Sequence, residues 1–385
     1  NIISKYYNFK MPPKKINEKM KNIREHKGKN NTKTETNCIV NALRFTFSIL
    51  VTGCTFTQGE LLFLWNDIWP PSKTSFYEAQ KRIAQLILNF AKQSCRYWRS
   101  LLPANSIIAF DGSWSHRRNA DFCLVDFVDV STGRVVDFEI ISKKYGENKF
   151  TGPSNAMEVE GIRRMIPRWI NDKRIIAYVH DKDSKSRKLI NQLGWNVTEI
   201  IDSNHAVKSL RRKFQKIKVK SPTKLRGLKL PLERFFHCLL KLDVTAEEKK
   251  KYWMNVEQHF SGNHSNCIEH KETKPWKDID VGNNREVLKE FLEKTSVLFD
   301  KCDGIHSTQA CESLHAVKAH FAPKMISWKS SWCARVCASI LDINEMYWSM
   351  KLYDQLQLPP LTPAIRKKLM NIDLNKWKLR KMASL

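Results

Sequence analysis

The sequence predicts an α/β protein, a mixed sheet with flanking helices, with a helical domain before it and a mainly helical insertion late in the chain. Two apolar runs that each end in an acid carry that reading: Ile107-Ile-Ala-Phe-Asp-Gly-Ser-Trp114 and Arg174-Ile-Ile-Ala-Tyr-Val-His-Asp181. A later helical segment opens with Thr308-Gln-Ala-Cys-Glu312. Short apolar runs bounded by turn residues read as buried strands, and apolar residues three to four apart read as helices.

Residues 1–35 carry ten Lys/Arg against three Asp/Glu and almost no apolar periodicity, which describes a disordered basic arm. The cluster from Lys14 and Lys15 through Lys29 fits a nuclear-localisation or DNA-clamping segment and, equally, a solvated tail. Residues 36–104 read as a helical DNA-binding or dimerisation domain. Thr57 to Glu60 and Ser75 to Glu78 match capping boxes, and Trp69-Pro-Pro-Ser72 breaks the chain between them. With Lys81, Arg82 and Lys92 on the following helix, a helix-turn-helix and a plain helical bundle both suit this segment.

Residues 105–215 form the first part of the core. Strands are predicted at Ile107–Phe110, Phe122–Val130 and Val135–Ser142, with Ser131-Thr-Gly133 as a turn, then a helix at Ala156–Asn171. A strand at Ile175–Val179, a helix at Ser184–Leu193 and a strand at Asn196–Ile201 complete it. Three hairpin strands, helix, strand, helix, strand is the order of an RNase H-like fold. There the first and fourth strands are neighbours, so Asp111 and Asp181 should end side by side. Residues 216–300 read as the helical insertion, and 301–385 as the C-terminal helices of the core with a basic tail.

Lys and Arg number 66 against 39 acids, a formal charge of +27, and the excess is not confined to the arm. Ser203 to Leu232 alone holds ten Lys/Arg and no acid, which is better suited to phosphates than to a solvated face of mixed sign. A polyanionic partner follows. Lys208, Arg211, Arg212, Lys213, Lys216, Lys218 and Lys220 are the expected backbone contacts, with Asp202 and His205 beside them. The ten cysteines form no compact disulfide-like framework, and no apolar run approaches the roughly 20 residues that span a bilayer. A reducing interior is expected.

Phosphodiester chemistry needs an attacking oxygen activated and a leaving oxygen stabilised, and two divalent ions about 3.5–4 Å apart held by carboxylates do both. Asp111, Asp181 and Glu312 supply hard oxygen donors for Mg²⁺ or Mn²⁺. Asp183 competes with Asp181, because His180-Asp-Lys-Asp183 offers two acids; the strand end favours Asp181. In the insertion, His259, His264, Cys267 and His270 fall within twelve residues, with His237 or Cys238 upstream. They suit a structural Zn²⁺ or a turn whose histidines only form hydrogen bonds.

Five blocks together resemble a known family: Phe110-Asp-Gly-Ser-Trp114, Ser154-Asn-Ala-Met-Glu158, His180-Asp-Lys-Asp-Ser-Lys185, Asp202-Ser-Asn-His205 and Thr308-Gln-Ala-Cys-Glu-Ser313. They look like successive blocks of eukaryotic cut-and-paste DDE transposases, nearest the Mutator-like and Kolobok group, over about residues 105–345. The resemblance implies an RNase H-like catalytic core and a nuclear enzyme. It also implies a homodimer or larger assembly that binds terminal inverted repeats and target DNA, cleaving and joining strands with a DDE triad. Two other readings remain open, a domesticated relative that binds DNA without catalysis and an RNase H-like nuclease that hydrolyses without joining.

Overall fold

Turn length decides how the strands pair. The computed structural model describes residues 31–145, 149–181, 183–217, 227–260, 263, 265, 285–302 and 306–383. Strands β1 (Ser106–Trp114), β2 (Phe122–Asp129), β3 (Val135–Ser142), β4 (Ile175–His180) and β5 (Thr198–Ile201) form one sheet in the order β3-β2-β1-β4-β5. Short connections leave β1, β2 and β3 antiparallel, whereas helical crossovers return the chain so that β4 and β5 run parallel to β1. This is the RNase H-like core that the element order predicts.

β2 is buried at every position because both faces of the sheet are covered. On one face α4 (Met157–Met165) and α5 (Ser184–Leu193) bring Met157, Ile162, Met165 and Leu189 against Phe110, Phe127 and Tyr178. The other face lies under α11 (Gln309–Phe321) and α12 (Trp332–Asn344). Trp332 stacks on Phe122 with ring centroids 5.1 Å apart. The Asn344 amide accepts from the Val135 N–H at 2.9 Å and donates to its carbonyl at 2.7 Å, which ties down edge strand β3.

Two predicted boundaries move for identifiable reasons. β1 runs past Phe110 to Trp114, because its ladder with β2 continues to the Trp114–Cys123 pair after the ladder with β4 has stopped at Ala109–Val179. The helix predicted to Asn171 ends at Met165 and tightens into a 3₁₀ turn at Ile166–Arg168, since Pro167 has no N–H to continue an α-helix.

After α6 (Ser203–Gln215), the insertion comprises α7 (Lys229–Lys241), α8 (Ala246–Met254), α9 (Val256–Phe260) and α10 (Arg285–Ser296). They gather around fully buried Trp253, whose indole N–H donates to the Leu292 carbonyl at 3.2 Å and Thr295 Oγ1 at 3.0 Å. Ile201, Ala206, Val207 and Leu210 share this core, so the insertion is built onto β5 and α6.

The described residues divide into two compact units, 31–86 with 349–383, and 87–348; the predicted basic arm lies outside them up to residue 30. The first holds α1 (Asn31–Thr52), α2 (Phe56–Trp65), the start of α3 (Lys73–Ser100), α14 (Pro363–Ala383) and nearly all of α13 (Trp348–Gln355). Phe45 is its hub, edge-on to Phe63 at 4.8 Å and to Phe56 at 5.9 Å. The helix starts differ from the predicted boxes. Thr55, not Thr57, forms the capping box of α2 with Gln58, and Ser72 accepts from the Ser75 N–H at 3.2 Å. Helices α1 and α2 meet at 119° across a short turn with Gly53, as in a helix-turn-helix. Yet α2 carries no Lys or Arg, and its exposed side chains include Leu61, Leu62, Leu64 and Trp65. No single described helix is long and apolar enough to cross a membrane.

Gly161 lets α4 approach β2 closely, since a Cβ there would lie 2.4 Å from Val125 Cγ2 and 2.9 Å from its Cβ. Gly161→Ala is expected to destabilise the core by about 1–3 kcal/mol through overpacking. Urea unfolding followed by tryptophan fluorescence measures this.

Candidate active site

The site forms where β1 and β4 part. Asp111 lies in β1 two residues beyond the last β4 pairing and opposite Asp126 of β2. Asp181 directly follows β4, so the two acids are neighbours by parallel register. Glu312, exposed in the first turn of α11, comes from the helix that crosses β1 and β2. Burial, and then the negative charges of Asp111, Asp202 and Glu312, push the Asp181 carboxyl up to about 7, partly opposed by Lys208. The three predicted acids therefore share one electrostatic field in a chain of net charge +27.

Histidines brace the two strand acids. His205 Nδ1 lies 3.1 Å from Asp181 Oδ2 and its Nε2 lies 3.3 Å from Lys208 Nζ. Burial and then Lys208 lower the His205 pKa, which favours the neutral ring. One turn after Glu312, His315 sits between Asp111, with Nδ1 3.4 Å from Oδ2, and Asp126, with Nε2 2.8 Å from Oδ2. Burial opposes a charge on His315, but the two carboxylates outweigh it and raise its pKa to about 9. Asp126 is fully buried and pushed up by that burial, with His315 opposing.

Asp202 fixes these parts to one another. It caps α6 by accepting from the His205 N–H at 2.9 Å through Oδ1. Its Oδ2 accepts from the Thr308 N–H at 2.9 Å and the Thr308 hydroxyl at 3.3 Å, at the start of α11. Its own N–H donates to the His180 carbonyl at the end of β4, at 3.0 Å. One residue thus joins the strand that delivers Asp181 to the helices that deliver His205 and Glu312. Expected among the DNA contacts, Asp202 is only 2 % exposed with both oxygens occupied, so no atom of its carboxylate is left for DNA.

Asp181 and Asp183 occupy different settings. Asp183 caps α5, accepting from the Ser186 N–H at 2.9 Å and hydroxyl at 2.7 Å. Although burial pushes the other way, these bonds hold its pKa below the usual carboxylate range. A further acid enters from α4: a Cβ at Gly112 would lie 2.8 Å from three side-chain atoms of Glu158, so a larger residue at 112 would displace that carboxyl. Burial, then Asp111, Asp183, Asp181 and Asp126, push Glu158 up to about 8.

The basic surface is partly committed inside the fold. Arg211 makes a two-pronged pair with Glu233, at 2.9 and 2.7 Å, and Lys213 donates to the Lys294 carbonyl at 2.6 Å. Lys208, Arg211, Arg212 and Lys216 are all exposed, while Lys218 and Lys220 lie outside the described residues. Of the zinc candidates, His259 sits in α9, and His264, Cys267 and His270 lie outside the described residues. Among the described residues no three His, Cys, Asp or Glu side chains are drawn together as a metal cage.

Sequence reading misses Asp126, Glu158 and His315 as members of this cluster. The signals are present all the same. Asp126 is an acid inside the apolar strand Phe122-Cys-Leu-Val-Asp-Phe-Val, and His315 falls three residues after Glu312 on the same helix.

Against known proteins, the Mutator-like transposase family model matches residues 15–274. The match spans Asp111, Asp126, Glu158, Asp181 and His205 and ends before Glu312. No curated protein matches the chain. Among solved structures, the Drosophila P element transposase strand transfer complex aligns at 11% identity over 78% of this chain and 91% of that chain. Its TM-score of 0.31 is too low to bear on the chemistry.

Two outcomes are expected here. Glu158 has an ordinary pKa of 4.5 and is raised to about 8, so between those values the folded chain keeps a proton that the unfolded chain has lost. Its contribution to stability is full below 4.5 and is lost as pH rises through 8. Glu158→Gln should therefore match wild type at pH 4 and melt progressively higher than wild type toward pH 8.5, in thermal scans without metal. Asp202→Ala should cost about 1–3 kcal/mol for each buried N–H it orphans, read from urea unfolding.

Proposed function

The chain belongs to the Mutator-like transposase family, and we propose that it is a DNA transposase in which Asp111, Asp181 and Glu312 hold two divalent metal ions. The observation that carries this reading is the parallel register that sets Asp111 beside Asp181 where β1 and β4 part, under the helix that bears Glu312; burial and then Asp111, Asp202 and Glu312 push the Asp181 carboxyl up in keeping with it. Like charges gathered in one field are unfavourable unless something positive joins them, and perturbed acids cluster at functional sites. The donor set fits Mg²⁺ or Mn²⁺. All three side chains offer hard oxygens, and Mg²⁺ retains waters and takes one or two carboxylates plus substrate phosphates, so a closed protein cage is not required.

When bound, such ions supply activation of the attacking oxygen and stabilisation of the leaving oxygen. Asp111 and Asp181 would hold the ions from the β1–β4 junction, and Glu312 would complete the set from α11. His205 and His315 hold the two aspartates in place, as partners behind a ligand shell do. Lys208, Arg212 and Lys216 provide charge for the DNA backbone. The enzyme would act in the nucleus, cleave at transposon ends and join them to target DNA, with two or more copies bringing the ends together.

Asp111→Ala, Asp181→Ala and Glu312→Ala should each abolish Mg²⁺- or Mn²⁺-dependent cleavage of end-containing DNA while leaving duplex binding near wild type. Asp183→Ala should retain cleavage and lose about 1 kcal/mol through its lost helix cap. Cleavage that survives loss of Asp111 or Glu312 contradicts the assignment.

A further inference from the structure

A second surface adjoins the acids and is of opposite sign. Beyond Asp111, β1 continues through Ser113 and Trp114 into the turn Ser115-His-Arg-Arg-Asn119, which leads to β2. This turn borders a cleft of about 660 Å³ lined by Trp114, His116, Arg117, Arg118, Lys143 and Asn155, among others, none of them acidic. The volume is in the range of sites that enclose small ligands, and the cleft is open to solvent on one side.

The walls of the cleft are built rather than loose. Trp114 Nε1 donates to the Ser154 carbonyl at 2.8 Å, and the Ser154 hydroxyl donates to the Ala120 carbonyl at 3.0 Å, clamping the turn to the segment before α4. Ser115 N–H donates to the Phe122 carbonyl at 2.9 Å, and the Ser115 hydroxyl accepts from the Phe122 N–H at 3.2 Å, closing the hairpin. Lys318 of α11 holds Ser113 Oγ and lies 3.5 Å from the Trp114 carbonyl, and His116 Nδ1 lies 3.2 Å from the Lys324 carbonyl. The helix that carries Glu312 therefore also supports the turn.

Arg117 and Arg118 are exposed at the rim, while Lys143 is half-buried in the wall. Trp114 stands three residues along a strand from Asp111, about 10 Å at the usual rise per residue. We infer that this cleft is a phosphate-binding subsite for the DNA strand that enters the active site, with Arg117, Arg118 and Lys143 gripping the backbone next to the reacting phosphodiester. The inference rests on the transposase reading for its ligand, and it adds a contact surface separate from the basic helix α6. Arg is suited to this task because its fork meets two phosphate oxygens at once.

The test is a salt titration of binding to a short DNA duplex in EDTA, which needs no catalysis. Removing one phosphate-binding cation lowers the slope of log K against log salt by about 0.9, so Arg117→Ala with Arg118→Ala should lower it by about 2. Arg117→Lys with Arg118→Lys should restore most of the slope. Asn155→Trp fills the cleft without changing charge and should weaken binding about tenfold, with the melting temperature of each variant confirming the fold. An unchanged slope in the double alanine variant, or wild-type affinity in Asn155→Trp, overturns the subsite. If wild type binds with the expected variant losses but cleaves no DNA with any divalent metal, the catalytic reading fails and the subsite stands.

Discussion

The candidate site depends on the carboxylate of Asp202. Its residue receives or donates at the end of β4, the first turn of α6 and the start of α11, three elements that are far apart in sequence. Buried N–H groups at helix starts must find acceptors, and a single side chain here satisfies two such starts at once. Glu312 is separated from the sheet acids by the whole insertion, so its distance from them is set by how α11 begins. Thr308, four residues before Glu312, is the point of attachment.

Around that joint the chain gathers acids that repel one another. Asp111, Asp126, Glu158 and Asp181 share one region in which burial, and then their mutual negative charge, raises the pKa values of Glu158 and Asp181. The fold answers with a cation on each side: His315 between Asp111 and Asp126, and Lys208 beside His205 and Asp181. Such a cluster is costly for stability and useful for binding a positive ion, the trade common at functional sites. The outer surface carries the opposite sign. Arg117, Arg118 and Lys143 on one flank and α6 on another place positive charge beside the acids, where a polyanion can lie without meeting the carboxylates alone.

Much of this is legible from local patterns. The β3-β2-β1-β4-β5 order follows from short turns and helical crossovers, and the adjacency of Asp111 and Asp181 follows from that order. What local patterns do not carry is which side chains face one another across the fold. Glu158 belongs to the cluster only because α4 packs where Gly112 leaves room, between segments distant in sequence. Asp202 reads in sequence as a polar neighbour of His205, and its burial follows only from α11 starting against it. The pairing of Arg211 with Glu233 on α7 is not legible either, because Glu233 lies beyond the basic run. The capping-box pattern also misplaces two helix starts by two or three residues, since several Ser and Thr residues compete locally for the same role.

The proposed chemistry stands or falls on whether Asp111, Asp181 and Glu312 form a divalent-metal site. A crystal grown with Mn²⁺ and measured at its absorption edge tests this directly. Anomalous peaks are expected about 2.0–2.2 Å from carboxylate oxygens of Asp111 and Asp181, by analogy with Mg²⁺ distances, with Glu312 turned toward them. Mn²⁺ bound elsewhere, with the carboxylates of Asp111, Asp181 and Glu312 free of metal, would contradict it.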